Sequence, residues 1–390
     1  MTLDIDKLRR ETPGVENRIH FNNAGAALIP LPVYDAVKDH LDLELAIGGY
    51  ESQARAEAAF ERTYDAIAEL INCDRSEIAL VENATVGWQM AFYGLSFKPG
   101  DRILTAEAEY ATNVIDYLQI AKRTGVKIDF VPSDNSGQMD VNALEKMIDD
   151  RVKLISATHI PTNGGLINPA AEIGAVARRH GIPYLLDACQ AVGQIPVDVE
   201  TIGCDMLSVT GRKYLRGPRG TGFLYVRKGF MDKLEPPFLD MHGAEWTSVD
   251  GYEMRADARR FENWEFNVAA VIGLGAAVDY LLALGIEETS ARLCALAATA
   301  REKLSALPKI TVQDIGEKKG GIVTFEHEDM PADAVKAALA GKNINVSITS
   351  LSSTRFDLEK RGIDEMIRAS FHYYNTEEEI DRLIEVLREL

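Results

Sequence analysis

The sequence predicts an α/β protein: a large, mostly parallel seven-stranded sheet between helices, followed by a smaller C-terminal α+β region. Three observations predict it. Seven short apolar runs, at 78–81, 102–105, 127–131, 154–158, 183–187, 206–209 and 222–226, read as strands. Most alternate with amphipathic helical stretches, the order in which parallel strands are connected. After Phe261 the texture changes to long Ala/Leu-rich helical stretches with only weak strands between them.

In order along the chain, a helix expected at 54–71 leads into the first strand, and one at 85–93 leads out of it. Helices at 113–123, 141–149 and 170–180 separate the next strands. Runs such as Tyr184-Leu185-Leu186-Asp187 are apolar without alternation, as strands buried on both faces must be. The last two runs are joined only by 213–221, too short for a helical crossover, so the final strand is expected to run antiparallel. Beyond it come helices at 268–284 and 287–307, strands at 322–325 and 345–348, and an amphipathic closing helix at 377–390. The expected domains are 20–265, large, and 1–19 with 266–390, small. No repeat or low-complexity tract is evident.

At 390 residues and 46% hydrophobic content the chain can bury a sizeable core. A net charge of −18 argues against nucleic acid or an anionic membrane as partner, since both require clustered Lys and Arg. The four cysteines, Cys73, Cys189, Cys204 and Cys294, show neither CxxC spacing nor histidine pairing, so reduced thiols and no metal site are expected. The first residues carry no signal-peptide pattern, and no apolar run approaches the ~20 residues of a membrane span. A cytoplasmic protein is expected.

Chemistry is concentrated at two strand ends. Asp187 closes an apolar strand and is followed by Ala188-Cys189-Gln190. Lys213 follows the next one, in Val209-Thr210-Gly211-Arg212-Lys213. A lysine amine able to form a Schiff base and a carboxylate able to keep a pyridine nitrogen protonated are the pair that pyridoxal phosphate (PLP) chemistry needs. With Asp-Ala-x-Gln and Thr-Gly-x-Lys together, the chain resembles the class V aminotransferases of the cysteine desulfurase-like group, PLP-dependent transferases of fold type I. The resemblance runs from Phe21-Asn22-Asn23-Ala24-Gly25 to Arg368-Ala369-Ser370 and Tyr374-Asn375-Thr376.

The resemblance implies a role for each of several residues. Ala84 and Thr85, opening a helix, bind the cofactor phosphate, as free N–H groups and a hydroxyl at a helix N-terminus can. Thr210 and Arg212 hold the same phosphate. Tyr110 stacks on the pyridine ring where desulfurases usually carry His, and a phenol is a poorer acid–base group at neutral pH. Asn163 and Gln190 meet the phenolic oxygen, and Asp187 the ring nitrogen. Arg368 holds the substrate α-carboxylate by its forked geometry, with Asn23 and Arg355 as further substrate contacts. Arg260-Phe261-Glu262 matches a segment at the family's dimer interface, so a homodimer is expected.

One absence decides the expected reaction. Desulfurases carry their sulfur-accepting cysteine in the loop after the strand near 345–348. Here that loop reads Thr349-Ser350-Leu351-Ser352-Ser353-Thr354-Arg355, and no Cys follows Cys294. A persulfide relay needs a thiolate there. What remains is an amino-acid substrate carried as an external aldimine to a Cα carbanion. The favoured outcome is β-elimination with C–S cleavage, as in cysteine- and cysteine-sulfoxide-type lyases. An aminotransferase and an epimerase of the isopenicillin N type are the alternatives; a non-catalytic PLP-binding protein is disfavoured by intact Lys213, Asp187 and Arg368.

Overall fold

The computed structural model describes residues 3–390. Seven strands form one sheet: β1 (Ile78–Val81), β2 (Arg102–Ala106), β3 (Lys127–Val131), β4 (Val152–Thr158), β5 (Tyr184–Asp187), β6 (Met206–Thr210) and β7 (Gly222–Val226). Their order is β1-β7-β6-β5-β4-β2-β3. Only β7 runs against its neighbours, β1 and β6. β4, β5, β6 and β7 are almost wholly buried, as their unbroken apolar character requires.

A hairpin, β8 (Ala244–Ser248) with β9 (Gly251–Met254), projects from the large sheet's side of the molecule and exposes Trp246, Val249 and Tyr252. A second sheet is wholly antiparallel, with β10 (Ile310–Val312), β11 (Ile322–His327), β12 (Ser347–Ser350) and β13 (Glu365–Ser370) in the order β10-β11-β13-β12. The N-terminal segment forms a separate two-stranded parallel sheet beside it, Ile19 and His20 pairing with Ile344 and Asn345 just ahead of β12. The large sheet carries an apolar cluster on each face, one taking in Val271, Leu274, Val278 and Leu281 of helix Val268–Leu284, the other Trp88 and Phe92 with Leu154 and Leu185. A third unites Phe325 and Ile367 with Leu383 and Leu387 of the closing helix. Among the described residues no single helix is long and apolar enough to cross a membrane.

Three elements differ from expectation. The helix expected at 54–71 is two, Gly49–Arg55 and Glu57–Ile71, broken at Ala56, whose φ and ψ of −95° and 11° leave the helical region. Helix Leu31–Ile47 was not anticipated, because it buries only Val33 and His40 and scatters its apolar residues around its circumference. Arg355 opens a helix, Arg355–Arg361, instead of ending a loop.

Candidate active site

Ligands of an open parallel sheet lie beyond the carboxyl ends of its strands. There the structure holds a cavity of about 290 Å³. Asp187 and Lys213 both line it, the first as the last residue of β5, the second in the turn after β6. Asp187 is anchored on both oxygens: the Cys189 N–H donates to Oδ1 at 2.9 Å and Asn113 Nδ2 to Oδ2 at 3.0 Å. Burial pushes the Lys213 amine below the ordinary lysine value; Cys189 opposes this and Arg212 adds to it. A buried amine with no ion pair among the described residues is thereby biased toward its nucleophilic, neutral form. The turn carrying it is fixed by Arg216, which donates to Leu28 O at 2.8 Å, to the Tyr373 hydroxyl at 3.0 Å and to Thr12 Oγ1 at 2.7 Å.

One end of the cavity suits an anion. Helix Ala84–Tyr93 begins there, capped by Asn83, whose Oδ1 accepts from Val86 N at 3.0 Å. Ala84, Thr85, Thr210 and Arg212 all line this end. Gly222 makes the approach possible: a Cβ there would lie 2.4 Å from Val209 O and 3.2 Å from Asn83 Cα. Arg212 donates to the Thr210 hydroxyl at 3.4 Å and has no carboxylate partner among the described residues.

Behind the cavity floor lies a carboxylate the sequence did not single out. Glu109 is 2% exposed and accepts from the Tyr110 N–H at 2.8 Å, Asn113 Nδ2 at 2.9 Å, Thr105 Oγ1 at 3.1 Å and the Thr158 hydroxyl. Burial, joined by the neighbouring Asp187 charge, pushes its carboxyl from 4.5 up to about 7, against the hydrogen bonds from Thr158, Tyr110 and Asn113. Glu109 therefore binds its proton more tightly folded than unfolded. Between 4.5 and about 7 the folded state carries the extra proton, so this group's contribution to stability falls as pH rises through that window. The expected cost at the upper end is on the order of 2–3 kcal/mol. Denaturation of the cofactor-free wild type and of Glu109→Gln should show the variant gaining on the wild type across that interval. Parallel curves would contradict the shift.

At the substrate end Arg368 is 8% exposed, and its partners are specific. Its Nε donates to Ser347 Oγ at 2.9 Å, and its Nη1 to the Thr162 hydroxyl and to Thr162 O at 3.2 Å. Thr162 lines the cavity; Arg368 itself does not, but stands close enough behind Thr162 to help lower the Lys213 amine. Three further expected contacts lie elsewhere. The Asn163 amide turns away to donate to Asp357, which Arg361 also holds. Asn23 is fully buried, donating to Ser370 O at 2.7 Å and accepting from the Tyr374 hydroxyl, and so clasps the N-terminal segment to the end of β13. Arg355 pairs with Glu359 on the solvent side of its helix. Gln190 and Tyr110 do line the cavity, Tyr110 with 37% of its surface exposed. Asn113, Thr158 and Thr162 lay outside the sequence reading. Neighbours in an irregular segment point opposite ways, and no periodicity tells Thr162 from Asn163.

The family model for class V aminotransferases matches residues 19–383. The chain belongs to the class V aminotransferase family. It is 30% identical to a probable cysteine desulfurase of Pyrococcus abyssi, over 99% of this chain and 97% of that protein. It superimposes on the apo cysteine desulfurase of Thermococcus onnurineus NA1 with a TM-score of 0.92 at 28% identity, covering 100% of this chain and 98% of the other. The cystine C–S lyase C-DES, 24% identical with a TM-score of 0.87 over 97% of this chain and 99% of its own, shares the fold. The fold is therefore fold type I, and the cofactor of the family is pyridoxal 5′-phosphate. The cavity fits that group. Gln190 Oε1 is buried without a hydrogen-bond partner and lines the cavity, Arg212 lacks a carboxylate beside a helix N-terminus, and Lys213 and Asp187 face the same space.

Proposed function

We propose that this PLP-dependent enzyme cleaves the C–S bond of a cysteine-type amino acid by β-elimination, without passing sulfur through a protein persulfide. One observation carries the reading. The segment after β12 is a tight turn, 351–354, with no cysteine. It is also pinned beside Tyr110, since Ser353 O accepts from the Ala111 N–H at 2.9 Å. A sulfur relay needs a thiol on a segment free to move between cofactor and acceptor. Cys189 is the one cysteine lining the cavity, but burial raises its thiol, with Lys213 opposing, and it sits at the cavity floor beside that lysine.

Bound PLP supplies an electron sink for the bond broken at Cα. Arg368, its guanidinium steadied by Thr162 and Ser347, holds the substrate carboxylate and so orients the Cα–H bond. Lys213 takes the Cα proton; the Cβ–S bond then breaks, its electron pair leaving with sulfur. Water converts the released unsaturated amine to pyruvate and ammonia. Asp187 would hold a proton at the cofactor's ring nitrogen, Ala84, Thr85, Thr210 and Arg212 would hold its phosphate, and Tyr110 would pack beside the ring.

The test is a panel of cysteine, cystine and cysteine-derivative substrates scored for pyruvate, keto acid and racemised amino acid. Pyruvate with an equivalent of thiol or persulfide product is expected. The same reaction should persist when all four cysteines are replaced by Ser or Ala, apart from some loss of stability from altered packing. A protein persulfide accumulating with cysteine, or loss of turnover in a folded, cofactor-loaded single-Cys variant, would return the reading to desulfuration.

A homodimer belongs to the same proposal. Leu45, Tyr50 and Trp246 are 89%, 71% and 78% exposed, large apolar side chains that a partner subunit would cover. Sedimentation should give twice the 43.0 kDa chain mass. A fully active monomer would contradict it.

A further inference from the structure

We propose that Glu109 is a positioning residue for the cofactor, acting through Asn113 to fix the Asp187 carboxylate against the pyridine nitrogen. The inference deepens the reading above and rests on it.

The argument begins with Asn113. Its amide nitrogen has two hydrogens, and both are placed: one on Glu109 Oε1 at 2.9 Å, the other on Asp187 Oδ2 at 3.0 Å. An amide group is planar, so holding one N–H fixes the direction of the other. Glu109 is in turn immobilised by β2 through Thr105 and by β4 through Thr158, as well as by the Tyr110 N–H. The sheet thus sets Glu109, Glu109 sets Asn113, and Asn113 sets the rotation of Asp187. The three are 2%, 3% and 5% exposed, so water cannot substitute for any link. Asp187 keeps unshared lone pairs after accepting from Asn113 and the Cys189 N–H, and it lines the cavity.

A bland role is available. Tyr110 caps helix Ala111–Thr124 without a side-chain bond, and Glu109 satisfies the Tyr110 N–H. A cap needs only that one bond. Glu109 also accepts from Asn113, Thr105 and Thr158, and the Asn113 bond leads directly to Asp187.

The test uses bound PLP labelled with ¹⁵N at the ring, whose chemical shift reads nitrogen protonation directly. In the wild type the nitrogen should remain protonated through the neutral range. In Glu109→Ala, which removes the oxygen that accepts from Asn113, its protonation constant should fall about tenfold, and the cofactor dissociation constant should rise by about the same factor. Asn113→Ser should produce the same displacement, and the double variant little more; Asn113→Ser also carries the test if Glu109→Ala does not fold. Variants with wild-type ¹⁵N shift and titration, altered only in melting temperature, would reduce Glu109 to a helix cap and overturn the proposal. A wild type that binds no PLP at Lys213, or binds it with an unprotonated nitrogen, would instead overturn the underlying assignment and this inference with it.

Discussion

Lys213→Ala is expected to lower turnover by about 10³–10⁴-fold or more while leaving a folded protein. In the proposed reaction the lysine has two tasks, anchoring the cofactor covalently and moving the Cα proton, and no neighbour can take over either. The other cations close to it, Arg212 and Arg368, are guanidinium groups, which stay protonated and cannot act as bases. Lys228 lies beyond β7, in the short helix Lys228–Lys233 and outside the cavity. The fold should survive because Lys213 makes no ion pair among the described residues and its turn is held by Arg216. Borohydride reduction followed by peptide mapping should place PLP on Lys213 in the wild type and nowhere in the variant, which can still bind the cofactor loosely through the phosphate end. A reduced adduct on any other lysine would sink the assignment.

How far the sequence discloses this site depends on what each residue's signal requires. Strands β4 to β7, buried on both faces, were legible as apolar runs almost without a break; β1 to β3, less buried, were legible as apolar or mixed runs between helices, and the short 213–221 link disclosed the reversed strand. Asp187 and Lys213 were legible as a pair: either alone is ordinary at a strand end, but Asp-Ala-x-Gln followed by Thr-Gly-x-Lys is rare. Ala84, Thr85, Gln190, Thr210 and Arg212 followed from the family resemblance, and all line the cavity. Asn163, Asn23 and Arg355 did not reach it: the first two sit in irregular backbone, where tertiary partners such as Asp357 and Ser370 set side-chain direction, and Arg355 opens a helix and pairs with Glu359 one turn on. Glu109 read simply as an acidic residue ahead of a helix. Its burial arises only when β2 and β4 close over it, and no local pattern encodes that. Helix Leu31–Ile47 was hidden for the opposite reason, since its exposed Tyr34, Leu41 and Leu45 blur the periodicity that marks a helix packed on one side.

Asp187→Asn should cost about 10²–10³-fold in kcat, the scale of losing one preorganised electrostatic partner of the reacting system. The substitution keeps the shape of the side chain and removes its charge, so the pyridine nitrogen loses the group that keeps it protonated. Geometry adds a second penalty. One oxygen of Asp187 accepts from the Cys189 N–H at 2.9 Å, and the other from Asn113 Nδ2 at 3.0 Å. An asparagine can satisfy the first with its carbonyl oxygen, but its own NH₂ then faces that of Asn113, donor against donor. Asn113 cannot simply flip, because its other N–H is committed to Glu109 at 2.9 Å. An unmet buried donor costs about 1–3 kcal/mol, so a lower melting temperature should accompany the lost rate. Asp187→Glu separates the two effects: it restores charge but displaces the carboxylate, and should recover nitrogen protonation more fully than kcat. Measured as kcat, cofactor affinity and melting temperature side by side, near-normal turnover in Asp187→Asn would rule Asp187 out as the pyridine partner. Loss of rate with unchanged stability would instead remove the hydrogen-bond conflict with Asn113 while leaving the charge argument standing.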